Sequence, residues 1–333
     1  MKEVFAPHLN RNVKLGGRQI PVVVGQHLKL EDYARMGSMP AAPSLLDLSG
    51  LAMACLIQVF GNNILGDCVI AGKGHVDGVW TGNANGGSPF IASEAQIEYQ
   101  YGKIGGYVPG NPATDQGCNM QTALNWWVQN PGADGNKLEA WLGGSPANVP
   151  LTMSCVDLCE HTYLGMALPD AWISPFPSAN GFVWDVAGNP DPSNGHCIMA
   201  YGYNSQGLLI CSWGLLGVLT WAALAKYCNN NAGGEMYYMM STDVLVKGQQ
   251  TATGIALPQL MADWDSIGGH LPIPAPTPAP APAPAPAPPG SITQAAAVAA
   301  AVASLEAMRP LLTRGMAEWA VKNALAKLTG WAA

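Results

Sequence analysis

The rhythm of apolar and polar positions changes about halfway along the 333-residue chain. In the first half it groups as helices. From Cys68 to about residue 80, Val69, Ala71, Val76 and Val79 are compatible with a buried helix, and Asp67 stands where an N-cap belongs. Residues 92–105 and 118–130 read as further helices, the second carrying Trp126 and Trp127 as core, and 149–160 as a fourth. From about residue 160 the pattern becomes short alternating strands at 162–168, 197–203, 208–213 and 235–241. Between about 174 and 195, a run of prolines, glycines and asparagines marks a turn-rich loop. A helical half followed by an antiparallel half predicts an α+β fold, two lobes with a cleft between them.

The flanks follow other rules. Residues 1–38 mix basic and apolar positions (Arg11, Lys14, Arg18, then Ile20-Pro21-Val22-Val23-Val24) and read as an extended arm packed on another surface. After Gly254 the domain pattern fades, which assigns the folded domain to 39–254 and a linker to 255–290. Within that linker, 272–289 alternate alanine and proline almost strictly, a composition that favours polyproline II. Residues 291–333 are helical by composition, with Val298, Val302, Leu305, Leu312 and Met316 at three-to-four spacing and Pro310 splitting the segment in two. Residues 292–308 make a poor membrane span, being mostly alanine with Pro310 and Arg314 close behind. The tail is expected to dock, on an assembly partner or on a second copy.

Candidate chemistry sits on two segments about 130 residues apart: Asn62-Asn63-Ile64-Leu65-Gly66-Asp67-Cys68, and Gly195-His196 at the head of a strand. A thiol attacks a carbonyl at neutral pH only when something favours its thiolate, and a helix N-terminus and an imidazole are the two usual means. An amide six residues before the thiol could donate to an oxyanion. His75 lies on the face of Cys68 but roughly 10 Å up the helix axis, and reads as a core histidine.

Around these residues the chain resembles the papain-like cysteine peptidase superfamily, in particular a bacterial and bacteriophage branch with a Gly-Asn-Asp-x-x-Gly-Asp-Cys motif. Here that motif reads Gly61-Asn62-Asn63-Ile64-Leu65-Gly66-Asp67-Cys68, with Asn63 in the aspartate position. Four further stretches agree in order: Pro43-Ser44-Leu45-Leu46-Asp47; Ser93-Glu94 onward to Thr114-Asp115-Gln116-Gly117-Cys118-Asn119-Met120; Val149-Pro150 onward to Leu164-Gly165-Met166; and Gly195-His196 to Cys211-Ser212-Trp213-Gly214 with Thr220-Trp221. The resemblance spans roughly 40–245 and implies a two-lobed fold, a helical lobe and an antiparallel β lobe. It implies Cys68 as nucleophile, His196 as general base and later acid, Asn62 with the Cys68 N–H as oxyanion hole, and Gly117, Cys118, Asn119 and Trp213 lining the cleft. The asparagine that usually orients the imidazole is missing. Aligned on Trp213 its position is Cys211; counted forward from His196 it is Ser212, a far better acceptor than a thiol. Residues 1–38 are also much shorter than a papain-type pro-region.

Composition narrows the function. The net charge of −7 without a basic run excludes nucleic acid as a natural partner. Charged residues make up 11%, against roughly 25% in ordinary soluble domains, which fits a protein held in an assembly. The start of the chain lacks the apolar core of a secretory signal, so the eight cysteines are expected to be reduced and the protein cytoplasmic in a bacterial host or virion-associated. Cys155 and Cys159 with His161 lack a second ligand pair, so no metal or other cofactor is expected. The expectation is a cysteine hydrolase of a peptide or related amide bond. The alternative is a weak or inactive papain-like structural protein of a bacteriophage virion or other assembly.

Overall fold

The computed structural model describes residues 1–20 and 41–266. The remainder of the arm, the Ala-Pro spacer and the helical tail lie outside the described residues.

The helical lobe is built around Cys68–Ala84, whose side chains are buried over nearly all 17 residues because other elements cover every face. Sequence-local bonds set the boundaries of its neighbours. Glu94–Gly105 starts at a reciprocal Ser93/Gln96 capping box and stops at Gly106, in the left-handed region at φ 75°. Met120–Gln129 begins at Asn119, whose side chain accepts from the Thr122 N–H, and Val149–Cys159 begins at Asn148, which accepts from Leu151. Asp67 departs from expectation. It precedes the central helix but makes no side-chain cap, because its carboxylate is turned to the Asn62 amide instead.

The β lobe is one eight-stranded sheet, in the order Ala140–Gly143, Glu235–Met240, Thr162–Ala167, Gly195–Tyr203, Gly207–Ser212, Leu215–Thr220, Phe182–Trp184, with Leu46–Asp47 also pairing onto Gly195–Tyr203. Pairing is antiparallel except where Phe182–Trp184 runs parallel to Leu215–Thr220. Every residue of Thr162–Ala167, Gly195–Tyr203 and Glu235–Met240 is buried, so the sheet centre is covered on both sides. Across the lobe boundary, Tyr163 OH donates to the Val69 carbonyl, and within the helical lobe the Trp80 indole N–H donates to the Cys159 carbonyl at 2.8 Å. The fold is thus the expected α+β arrangement of a helical and an antiparallel lobe.

Several elements differ from the sequence reading. The segment read as a turn-rich loop contains the strand Phe182–Trp184, and the strands Ala140–Gly143 and Leu215–Thr220 and the helix Trp221–Tyr227 were not foreseen. The assigned linker begins with a helix, Leu257–Ser266, that buries Leu260 and Trp264 completely or nearly so. A run as polar as Asp263 to Ser266 hides its apolar stripe. The N-terminal arm is not simply extended: Lys2–Ala6 and Arg11–Leu15 form an antiparallel hairpin in register from Lys2↔Leu15 to Ala6↔Arg11.

Candidate active site

Cys68 is the first residue of the central helix, preceded by a loop that Asp115 holds in place. The Asp115 carboxylate accepts from the Gly66 N–H at 2.9 Å and from Tyr101 OH at 2.7 Å, and it pairs with Lys14 of the arm at 2.5 Å. Asn62 is 5% exposed and spends its side-chain N–H groups on the Leu65 carbonyl (3.2 Å) and Asp67 (3.0 Å). Its amide is therefore beside the nucleophile candidate but not free for an oxyanion as arranged. Burial holds the Asp67 carboxyl well above the usual carboxylate range, against the opposing pull of the Asn62 amide, and the charge it carries when ionised opposes a thiolate at Cys68.

His196 is the second residue of its strand, with Nε2 3.0 Å from Ser212 Oγ and the ring stacked on Trp213 at 3.7 Å and 1°. Nδ1 has no hydrogen-bond partner among the described residues. Between the two orienter candidates, Ser212 makes the bond. The cause is a bulge: Leu209 pairs with Gly202, but Ile210 then pairs with Ala200 and Cys211 with Met199. The skipped Tyr201 shifts the pleat by one, which puts Cys211 on the Met199 face and Ser212 on the face of Ile198 and His196. Trp213 and Gly214 close the hairpin with φ 47° and 77°, both positive as a two-residue turn of this hand requires. A side chain on Gly214 would also meet the Ile57 carbonyl at 2.8 Å. Trp213 is held from beneath by its indole N–H to the Asn62 carbonyl, 3.3 Å, so the two motifs brace each other.

Cys68, His196, Asn62, Ser212, Cys211 and Trp213 all line one small cavity of about 10 Å³. That is room for at most about one water. Cys68 and His196 are each 2% exposed. Burial pushes the Cys68 thiol up to about 12, against the opposing pull of the Cys197 N–H and the Arg18 charge. Burial, reinforced by Arg18, brings His196 down to about 3. As arranged, a neutral thiol faces the same cavity as a neutral imidazole. His75 lines the far side of that cavity, buried against Phe60 at 4.7 Å, which agrees with its reading as a core histidine. Cys155 and Cys159 are buried in Val149–Cys159, and burial raises both thiols.

The remaining cleft residues are covered by the chain itself. Arg18–Gln19 pairs in parallel with Cys118–Asn119, and the Cys118 N–H donates to the Gly17 carbonyl at 2.9 Å. Gly117, at φ 72°, packs so tightly that a Cβ there would sit 2.1 Å from the Gly17 oxygen. On the other side the Gly16 N–H donates to the Gly195 carbonyl at 2.9 Å, next to His196. The arm thus crosses between Cys118 and Gly195, the two walls of the expected cleft. His8, at the tip of the hairpin, bonds the Trp213 carbonyl at 2.9 Å. Arg18 sends its guanidinium inward to Glu235, Nη1 to Oε1 at 2.6 Å. Sequence reading assigned no role to Arg18 or Glu235. The available signal was an acidic residue heading an otherwise apolar strand.

No family model matches the sequence, and no curated protein matches it. Among solved structures, the chain is similar to xylellain, a cysteine protease from Xylella fastidiosa, with 14% identity and a TM-score of 0.51 over 68% of this chain and 97% of that one. It is also similar to digestive procathepsin L2 from the larval midgut of Tenebrio molitor, with 15% identity and a TM-score of 0.48 over 68% of this chain and 78% of that one. The fold is that of the papain-like cysteine proteases.

Proposed function

We propose that the chain is a papain-like cysteine hydrolase acting on a peptide or related amide bond. Cys68 is the nucleophile. His196 takes the thiol proton on Nδ1, which requires Nε2 to carry a hydrogen and Ser212 Oγ to accept it. The sulfur adds to the carbonyl carbon, the tetrahedral oxygen is met by the Cys68 N–H and by Asn62 once its amide turns from Leu65, and His196 returns the proton to the departing amine. Water then attacks the thioester with His196 again as base. Ser212 and Trp213 act through His196 and are positioning residues.

The observation behind this reading is the cavity shared by Cys68, at a helix N-terminus, and by His196, whose outer nitrogen and ring face are both held. Hydrolysis of a fluorogenic peptidyl amide tests it. Activity should vanish in Cys68→Ala and persist in Cys155→Ala and Cys159→Ala; turnover unchanged in Cys68→Ala would assign the chemistry elsewhere.

A second reading is a catalytically weak or inactive papain-like component of a bacteriophage virion or other assembly. The burial of Cys68 under the arm and the engaged Asn62 amide favour it. Its mark would be a Cys68 that stays unreactive after the arm is loosened.

A further inference from the structure

Asp67 has the identity and the position of a capping residue, yet its side chain caps nothing. A capping carboxylate accepts from the second or third N–H of its helix, here that of Val69 or Ile70. Instead the Ile70 N–H donates to the Asp67 backbone carbonyl at 2.8 Å. Burial raises the Cys68 thiol, and the Val69 N–H is one of the groups that pull it back. A donor that a cap could have taken is thus left to the nucleophile.

The carboxylate turns back five residues to Asn62. Its Oδ1 accepts from Asn62 Nδ2 at 3.0 Å, and both side chains are buried, so bulk water does not replace the bond. The loop is folded to make this contact. The Ile64 and Leu65 N–H groups both donate to the Gly61 carbonyl, at 2.8 and 3.0 Å, and Gly61 itself sits in the left-handed region at φ 81°. That closed turn brings Asn62 and Asp67 side by side, with Gly61 against the carboxylate: a Cβ there would lie 3.4 Å from Oδ2. Of the two contacts made by the Asn62 amide, the one to the Leu65 carbonyl is the longer, 3.2 Å against 3.0 Å.

We propose that Asp67 is a positioning residue of the oxyanion site: its Oδ1 holds one N–H of the Asn62 amide, so that the other, now on Leu65, is presented to the tetrahedral oxygen formed at Cys68. This rests on the proposed hydrolase reading and deepens it. Asp67 touches neither substrate nor sulfur in this role and acts through Asn62. The acceptor is needed and the charge is not. Burial, with the charges of Asp115 and Glu94, favours the protonated carboxyl, whose carbonyl oxygen still accepts.

Two reactions of Cys68 separate this role from support of the sulfur. Hydrolysis of a mixed-sequence pool of fluorogenic tripeptidyl amides passes through a tetrahedral oxygen; alkylation by iodoacetamide, a displacement at saturated carbon, forms none. Both are measured in the full-length Arg18→Gly chain, where the buried ion pair that fastens the arm to Glu235 is absent. Asp67→Ala should slow hydrolysis about tenfold or more, short of the roughly 100-fold loss expected of Asn62→Ala as an oxyanion donor, and leave Cys68 alkylation within about threefold. Asp67→Asn, which keeps an oxygen at Oδ1, should recover most of the loss. On top of Asn62→Ala, Asp67→Ala should add less than about twofold, because its route to the oxyanion is already gone. Unchanged hydrolysis in Asp67→Ala, equal losses in both reactions, no recovery in Asp67→Asn, or losses that multiply in the double variant each overturn the proposal while keeping Cys68 as nucleophile. A pool that is not cleaved, or is cleaved equally by Cys68→Ala, overturns the hydrolase reading and this role together. If Asp67→Ala does not fold, Asp67→Leu removes the acceptor while filling its volume, and Arg18→Gln likewise stands in for Arg18→Gly.

Discussion

Replacing Ser212 by alanine isolates the orienting bond. The hydroxyl lies 3.0 Å from His196 Nε2, and both side chains are buried, so no bulk water can replace it. A buried donor stripped of its acceptor carries a penalty of roughly 1–3 kcal/mol. At about 1.4 kcal/mol per factor of ten, kcat/KM should fall roughly 5- to 150-fold. Abolition is not expected, because Trp213 still holds the ring face to face at 3.7 Å. Cys211→Ala should change the rate by less than about twofold, since the pleat turns that side chain away from His196. The assay is hydrolysis of one fluorogenic peptidyl amide by all three chains in the same background, with circular dichroism to check the fold. Full activity in Ser212→Ala, or a larger loss in Cys211→Ala, would refute the assignment of Ser212.

Three further outcomes follow from the geometry. With Cys68 held up to about 12 and His196 down to about 3 by burial, the intact chain should alkylate slowly at pH 7 and faster only toward high pH, whereas Arg18→Gly, which lets water in, should react at neutral pH; superimposable pH profiles would contradict this. His161, neutral between the Cys159 carbonyl and the Met239 N–H, is lowered to about 3 by burial, so its stabilising contribution is present above its ordinary 6.5 and lost as pH falls toward 3. Urea midpoints should therefore drop less on acidification in His161→Gln than in the parent, and equal drops would count against it. Trp264→Ala should cost about 3–5 kcal/mol in urea unfolding as a large buried aromatic, and a chain ending at 254 should be less stable than one ending at 272; equal stability of the two truncations would return Leu257–Ser266 to the linker.

Much of the fold was legible because local signals and tertiary packing agree. The strands read at 162–168 and 235–241 end within one residue of Thr162–Ala167 and Glu235–Met240, and the helix predicted at 149–160 is Val149–Cys159. What was not legible depends on non-local geometry. A bulge at Tyr201 leaves no mark in local propensity, yet it alone decides between Ser212 and Cys211. The arm joins its cleft through backbone bonds at Gly16, Gly17 and Cys118, a hundred or more residues apart, which side-chain patterning does not record. Asp67 had a capping residue's identity and position, but Asn62 competes for its carboxylate. Phe182–Trp184 is too short, and too enclosed by turn residues, to show a period.

The central claim is that Cys68, supported by His196, is the reactive thiol among eight buried cysteines. Site-resolved mass spectrometry of iodoacetamide labelling in the Arg18→Gly chain at pH 7 tests it most directly. The account predicts that Cys68 is modified well ahead of the other seven and that His196→Ala removes its lead. Labelling of Cys68 no faster than that of Cys155 or Cys159, or a lead that survives His196→Ala, would contradict it.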